Sequence, residues 1–411
     1  MKHKFIILIL IFSLLDGLNA QSDGLSLEKV IKIGLENNKL LKSKNAALNS
    51  AKSQVRTAYE LPKLDFNAQF GQYNSVKYDN AFQIAQSLPF PGLIKAKKNW
   101  LIKDIEGYEW AKLATENELK AELRRAYFSL EYLQFKELKL QQLDSLYGDY
   151  IRIADLRYNV GEAKQIETNA AKLRQMENKM ELQNTSAEIS LYTSRLMTLM
   201  GSSEVVSVPK VTEYLPNDFV LVEDSISTNK HPLVMSYLHS ISMADLSKKL
   251  EKAKTLPDIK LGYSNQSLIG FQTIEGEERY FDGSKRFHVV NVGLAIPLFN
   301  MTKPKLQALE FQRESANQMA LHTSQNLKNR LSSLKFQHQN YLHQYQSYRD
   351  EALPSLKKAI DQVHLSYSKG ESNYMEYLQM LQTKSDLEMK YLETIYQINL
   401  TIIDIQSILN Q

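Results

Sequence analysis

Two periodicities take turns along the chain. Over "SLEKVIKIGLENNKLLKSKNAALNSAKSQVRTAYELP" the apolar residues return every three to four positions, which predicts a helix opened by Ser26 as its cap and stopped by Pro62. In "LDFNAQFGQ" the period drops to two, with Leu64, Phe66, Ala68 and Phe70 alternating with Asp65, Asn67, Gln69 and Gly71, the signature of a strand. "AFQIAQSLPFPG" supplies its partner, with Phe82, Ile84 and Leu88 on one face and Gln83 and Ser87 on the other. A helical pattern then runs from about Leu93 to Leu156 without a proline or a turn cluster. Those residues would extend roughly 95 Å at the helical rise. A further helix follows the "YNVG" break, from about 163 to 200, and Gly201 suits its C-terminal cap.

The second half repeats this order. A helix over about 224–255 stops at Pro257, and Ile259, Leu261 and Tyr263 alternate in one strand. Val290, Val292, Leu294 and Ile296 alternate in another, and helices are predicted over about 304–368 and 372–409. "LRYNVGEAKQIE" (Leu156 to Glu167) returns as "LSYSKGESNYME" (Leu365 to Glu376) at an offset of 209 residues. Pro89 answers Pro297 at 208 and Pro62 answers Pro257 at 195. The copies differ chiefly by about thirteen residues near "SLIGFQTIEGEERYFDGSK", expected to be a polar connection with turn residues at its end. Pro354, unmatched in the first copy, is expected to kink the second long helix. Leu392, Ile395, Ile398, Ile402, Ile405 and Leu409 recur at spacings of three and four, as do Leu123, Ala126, Leu130 and Leu133, stripes suited to helices packed side by side.

The organisation expected is therefore a leader over 1–20, a first repeat over 21–201 with strands near 62–72 and 80–90, an inter-repeat linker over 202–223, and a second repeat over 224–411 with strands near 257–267 and 286–298. Few prolines and glycines (10 and 15 in 411 residues) agree with long helices. At the N-terminus Lys2 and Lys4 precede "FIILILIFSLL", too short to cross a bilayer as a helix, and a small residue, Ala20, closes the segment. This reads as a cleaved secretory signal, with an uncleaved interfacial anchor as the alternative. The lack of Cys rules out disulfides, thiol catalysis and thiolate metal sites. The 50 basic and 46 acidic residues are evenly spread, so nucleic acid is not an expected partner. No nucleophile elbow, phosphate-binding loop or metalloprotease motif occurs, and an enzyme is not expected. No cofactor or metal site is expected either: His338 and His343 are five apart, off one helical face, and the Met176/Met180 pair reads as core packing.

Strands of nine to eleven residues with one greasy face have the dimensions of outer-membrane barrel strands. In lipid they must close on themselves, and four strands cannot enclose a barrel, so copies would have to combine. Soluble hairpins capping a helical bundle remain the plain alternative.

Together, "LSLEKVIKIGLENNKLL", "SLPFPGLIKAK", "GLAIPLFNMTKPKLQA" and the paired "RYNVGE" and "SYSKGE" resemble the TolC-like outer-membrane efflux family over nearly the whole mature chain. The resemblance implies a mainly α protein with a small transmembrane β part, in which a duplicated helix, hairpin, long helix, turn and helix unit is used in a homotrimer. Twelve strands would form one β-barrel, continued by a periplasmic α-helical barrel. It also implies outer-membrane lipid around the strands, a periplasmic adaptor (membrane fusion protein) and an inner-membrane pump of the RND or ABC type. The chain itself would be a passive exit. "LPFPG" looks like members that serve metal-cation pumps, though the corner needs its prolines whatever is carried.

The resemblance places Tyr158, Gly161 and Gly370 at helix-to-helix turns of the periplasmic tip, where the adaptor docks. It puts Glu376, six positions beyond Gly370, in the ring that lines the closed aperture, with Glu167 as its counterpart in the first repeat and Tyr367 as the hydrogen-bond partner of Glu167. Gln379 stands where relatives often carry a second acid and Ser372 where some carry Arg, so the ring is less negative and one lock contact is missing. A non-conducting exported coiled-coil spacer and a duct for type I protein secretion fit the same elements.

Overall fold

In the computed structural model the described residues are 24–72, 75–162, 164–204, 207–209, 214–216, 230–298, 301–368 and 374–409, with Tyr367 and Ser368 as backbone only. The expected leader and Gly370 lie outside them. The elements in order are α1 (Leu27–Asn37), α2 (Lys39–Gln54), a 3₁₀ turn (Val55–Tyr59), β1 (Asp65–Gly71), β2 (Asp79–Leu88), α3 (Pro91–Asn159) and α4 (Gln165–Met200). Then follow α5 (Pro232–Ala253), β3 (Asp258–Ile274), β4 (Glu277–Ala295), α6 (Thr302–Ser347), a π turn (Tyr348–Ala352), α7 (Leu353–Ser368) and α8 (Tyr374–Leu409). The chain forms two compact units, one from residues up to 43, 113–231 and 325–411, the other from 44–112 and 232–324.

The second of these holds an antiparallel four-stranded sheet in the order β1-β2-β3-β4. Its register places Phe66, Ile84, Tyr263 and Val290 in one cross-strand row, and all four are exposed. The adjoining row carries Leu261 opposite Val292, and the next carries Leu88, Ile259 and Leu294. On the opposite face Asn67, Gln83 and Ser264 form a polar row that ends in Val289. The period-two reading is thus borne out, with the greasy face turned to the surroundings.

The thirteen-residue insertion is not a polar connection. β3 and β4 run through it, paired on both sides of one bulge, to the pair Ile274 and Glu277, and reverse over Glu275 and Gly276, whose φ values of 57° and 86° make a tight two-residue hairpin turn. Gly270 and Gly283, which resemble turn residues in the sequence, instead have positive φ beside a register shift between Ser267 and Ile269. They are bulge glycines. In the same unit α3 and α5 are joined where Trp100 Nε1 donates to Ser247 Oγ (2.9 Å) and a His239 ring nitrogen meets the Lys103 carbonyl (2.7 Å).

The other unit is helical. The predicted stripes Leu123, Ala126, Leu130, Leu133 and Leu392, Ile395, Ile398, Ile402, Ile405 are buried, and Leu409 at the end of the second is half-buried. Leu123, Ala126 and Leu130 meet Val30 of α1, Leu196 and Met200 of α4 and Ile403 of α8 in its main core, Leu392 and Ile395 pack with Phe135 and Tyr214, and Leu334 of α6 packs with Ile405 and Ile408. The first helix is broken rather than continuous. Asn38 leaves the helical region (ψ 126°), its Oδ1 accepts from Leu41 N at 3.0 Å to cap α2, and its Nδ2 donates to Leu199 O at 2.9 Å. Gly201, as expected, caps α4 in the left-handed region (φ 63°), and a Cβ there would lie 2.6 Å from the Asn37 carbonyl oxygen. The expected disturbance at Pro354 takes the form of the π turn just before it, where Leu353 N bonds to Tyr348 O, five residues back.

Candidate functional site

Of the residues expected at the tip and gate, Tyr158, Gly161 and Glu167 lie where α3 passes into α4, and Tyr367, Glu376 and Gln379 lie at the end of α7 and the start of α8, all in the helical unit. At the first junction α3 unwinds over Tyr158. Gly161 N bonds to Tyr158 O (3.0 Å) and Glu162 N to Arg157 O (2.8 Å), while Gly161 takes φ 81°. A Cβ at Gly161 would meet nothing within 4 Å, so glycine is needed there for its backbone freedom and not for space. Tyr158 is exposed.

Glu167 lies in the first turn of α4, half-buried, where the free amide groups of a helix start favour a carboxylate. Glu376 sits in the equivalent first turn of α8 and is exposed. Gln379, one turn on, is exposed as well, so the two share a surface stripe of α8. The backbone of Tyr367 belongs to the end of α7.

Sequence reasoning missed what lies behind that stripe. Tyr374, Tyr377, Leu378 and Leu381 of α8 pack against Tyr147, Tyr150 and Ala154 of α3 and Ala171 of α4 in a second buried cluster. The Tyr150 ring stands 4.9 Å from Tyr377 and 6.1 Å from Tyr374, and His364 of α7 meets Tyr377 edge-on at 5.9 Å. Burial raises the Tyr147 and Tyr377 hydroxyls above the ordinary phenol range, so both stay neutral. The spacing of Tyr374, Tyr377, Leu378 and Leu381 is itself a helical seam and was legible. The polar residues interleaved with it, Glu376 and Gln379 among them, hide it in the sequence.

Toward the middle of the same unit a second aromatic layer forms, with Tyr132 stacked on Tyr396 at 4.5 Å and donating to Glu393 Oε2 at 2.8 Å. Beside it, Glu131 is pushed up to about 7 by burial, with a hydrogen bond from Tyr127 acting in the opposite direction. Arg125 bridges Glu122 (2.7 Å) and Asp404, and Arg195 closes on Glu122, tying α3, α4 and α8 together. Among the described residues no group of three metal-binding side chains occurs. His338 is buried against Thr401 Oγ1 (3.3 Å), away from exposed His343. Met176 and Met180 are exposed, contrary to the expected core packing. No described helix is long and apolar enough to cross a membrane.

No family model and no curated protein matches the chain. Solved structures do share its fold. A membrane protein from Pseudomonas aeruginosa aligns with a TM-score of 0.77 at 18% identity, over 93% of this chain and 93% of its own. The outer membrane protein VceC from Vibrio cholerae gives 0.74 at 14%, covering 93% and 95%. The CmeC outer membrane channel of Campylobacter jejuni gives 0.70 at 16%, covering 93% and 85%. The chain therefore has the fold of outer-membrane channel proteins, a mainly helical architecture with a small sheet.

Proposed function

We propose that this chain is the outer-membrane exit duct of a tripartite efflux pump, a non-enzymatic conduit through which small molecules or ions pass passively from an inner-membrane transporter to the outside. The observation that carries this reading is the sheet. Phe66, Ile84, Tyr263 and Val290, with Leu261, Val292 and Leu294, form an exposed apolar patch on one face, bordered on that face by Asn80, Asn265, Ser267, Arg286 and His288, and β1 and β4 are edge strands. Such a face is suited to lipid, and in lipid an open edge leaves backbone groups unsatisfied, so copies must join until the sheet closes. Three copies bring twelve strands, enough to leave a watery lumen, whereas two bring eight, whose interior side chains fill. The fold shared with outer-membrane channels supports the same conclusion.

In this reading the helical unit extends into the periplasm and meets a periplasmic adaptor and a pump of the RND or ABC type, with Tyr158, Gly161 and Gly370 at the docking tip. Glu376 and Gln379, exposed together on α8, line the constriction, and three Glu376 carboxylates around an axis attract cations. The family resemblance pairs Tyr367 with Glu167 as the contact that favours the closed state, and docking shifts the population toward the open one.

The test is planar-bilayer conductance of the detergent-purified protein, wild type beside Glu376→Ala, after cross-linking to count chains. A trimer with small cation-selective steps that grow in the variant is expected. A protein that is silent and soluble without detergent overturns the duct in favour of an exported spacer.

A further inference from the structure

Lysine gathers where the sheet meets the helices. At each of the four connections an exposed apolar residue stands beside it: Leu61 precedes Lys63, Phe90 precedes Lys95, Lys97 and Lys98, Leu256 follows Lys252 and Lys254, and Leu298 and Met301 precede Lys303 and Lys305. Against these eight lysines the same stretches carry Glu60 and Glu251, with Asp65 and Asp258 opening the strands they lead into. The far end of the β3/β4 hairpin, residues 270–282, is the reverse, with Glu275, Glu277, Glu278 and Asp282 against Arg279.

Helix stability does not ask for this arrangement. A helix start favours carboxylates, yet neither α3 nor α6 has an acid in its first turn, and α6 places Lys303 and Lys305 there. Cations beside the free amides of a helix start concentrate positive charge, which an external anion relieves.

A cavity of about 400 Å³ opens within this belt. Pro89, Leu93, Ile94 and Leu250 give it a mainly apolar lining, and Lys97, Lys254 and Glu60 supply its charges. Pro89 follows Leu88, which shares a row of the greasy face with Ile259 and Leu294, so the cavity begins where that face ends. Lys97 Nζ donates to the Thr57 carbonyl (2.8 Å), and Lys254 pairs with Glu251, which is shared with Lys305 at 3.4 Å. An ammonium has three donors, so both keep capacity for a further acceptor. Nearby, Lys98 Nζ donates to the hydroxyl of exposed Tyr59 at 2.8 Å and stands 5.4 Å over its ring, an amphipathic pair suited to a membrane interface.

We propose that this belt binds anionic phospholipid, with one acyl chain in the cavity, the phosphate held by Lys97 and Lys254, and the other lysines meeting headgroups of the same leaflet. Resting on the duct reading, that leaflet is the periplasmic one of the outer membrane. An apolar cavity alone takes any phospholipid, and the lysines make headgroup charge decide.

Native mass spectrometry of the detergent-solubilised full chain, titrated with phosphatidylglycerol or with phosphatidylcholine, tests this without reference to conduction. Phosphatidylglycerol is expected to half-saturate the protein at a concentration about tenfold or more below phosphatidylcholine, a preference that shrinks as salt is raised. Lys97→Gln with Lys254→Gln is expected to raise the half-saturating phosphatidylglycerol concentration about tenfold or more, at roughly fivefold per lysine, and to leave phosphatidylcholine unchanged. Lys303→Gln with Lys305→Gln, both exposed at a helix start, weakens phosphatidylglycerol retention in the same direction and decides the matter if the first variant does not fold. Arg279→Gln, at the other end of the hairpin, leaves the preference unchanged. Equal retention of the two lipids, or folded lysine variants that keep the wild-type preference, overturns the proposal. A chain that conducts without any lipid preference removes the belt and leaves the duct, whereas one that selects phosphatidylglycerol but never conducts removes the duct and leaves the belt.

Discussion

The greasy face of the sheet makes a quantitative prediction about its surroundings. Val290, Val292 and Leu294 follow one another at alternate positions of β4, and all are exposed. Val292, paired with Leu261 and flanked on the same face by Val290 and Leu294, is 72% exposed. If water covered this face, Val292→Arg would be a surface change within about ±0.5 kcal/mol. If lipid covers it, an arginine costs up to about 2–4 kcal/mol per chain, or up to about 6–12 kcal/mol for three copies. Per chain that is roughly a 30- to 1,000-fold loss in the folding constant. Asn291→Arg is the matched control, one residue away on the polar face, where Asn291 Nδ2 donates to Ser264 Oγ at 2.8 Å. Its expected cost is that of one exposed hydrogen bond, about 1 kcal/mol. Refolding from urea into lipid vesicles, scored by protease protection and by the mobility of unheated samples on gels, separates the cases. Equal yields of Val292→Arg and Asn291→Arg would show that this face never meets lipid.

Three further outcomes are expected. Gly201→Ala combines a left-handed φ with a Cβ 2.6 Å from a backbone oxygen. It should lose about 2–4 kcal/mol, against about 1–2 kcal/mol for Gly161→Ala, where only φ is wrong, and thermal melting of both variants checks the order. Glu131, whose carboxyl is raised to about 7, is held preferentially in its neutral form by the fold. Its contribution is therefore fully present below about pH 4.5 and is lost as pH rises through about 7. Glu131→Gln should flatten melting temperature between pH 5 and 8 and stabilise the protein at pH 8 by about 1–2 kcal/mol, the half-buried site being partly screened. Tyr367→Phe with Glu167→Ala should raise conductance and sensitise cells to large antibiotics; unchanged conductance removes that pair from the gate.

Period alone separated helix from strand here, because alternation of Phe66, Ala68 and Phe70 and the three-four spacing of Ile395, Ile398 and Ile402 are local facts that any packing must respect. The turn in the first of the two similar motifs was legible for the same reason: a chain reversal after a long helix favours a glycine at positive φ, and Gly161 supplies it. The insertion around Gly270 and Gly276 misled, since glycine marks both a loop and a bulged hairpin, and only the cross-strand register from Ser267 to Ile274 distinguishes them. Likewise Asn38 reads as an ordinary helical residue until the Leu199 carbonyl and Leu41 amide arrive to take both ends of its amide.

What the sequence determined by itself was therefore the set of elements, their order and which face of each is apolar. What the tertiary structure alone decided was which apolar faces are covered. Met176 and Met180 share a helix face in the sequence just as Tyr374 and Tyr377 do, yet the first pair is exposed and the second buried. Burial depends on which helix arrives from more than a hundred residues away, and nothing local in the chain records that arrival.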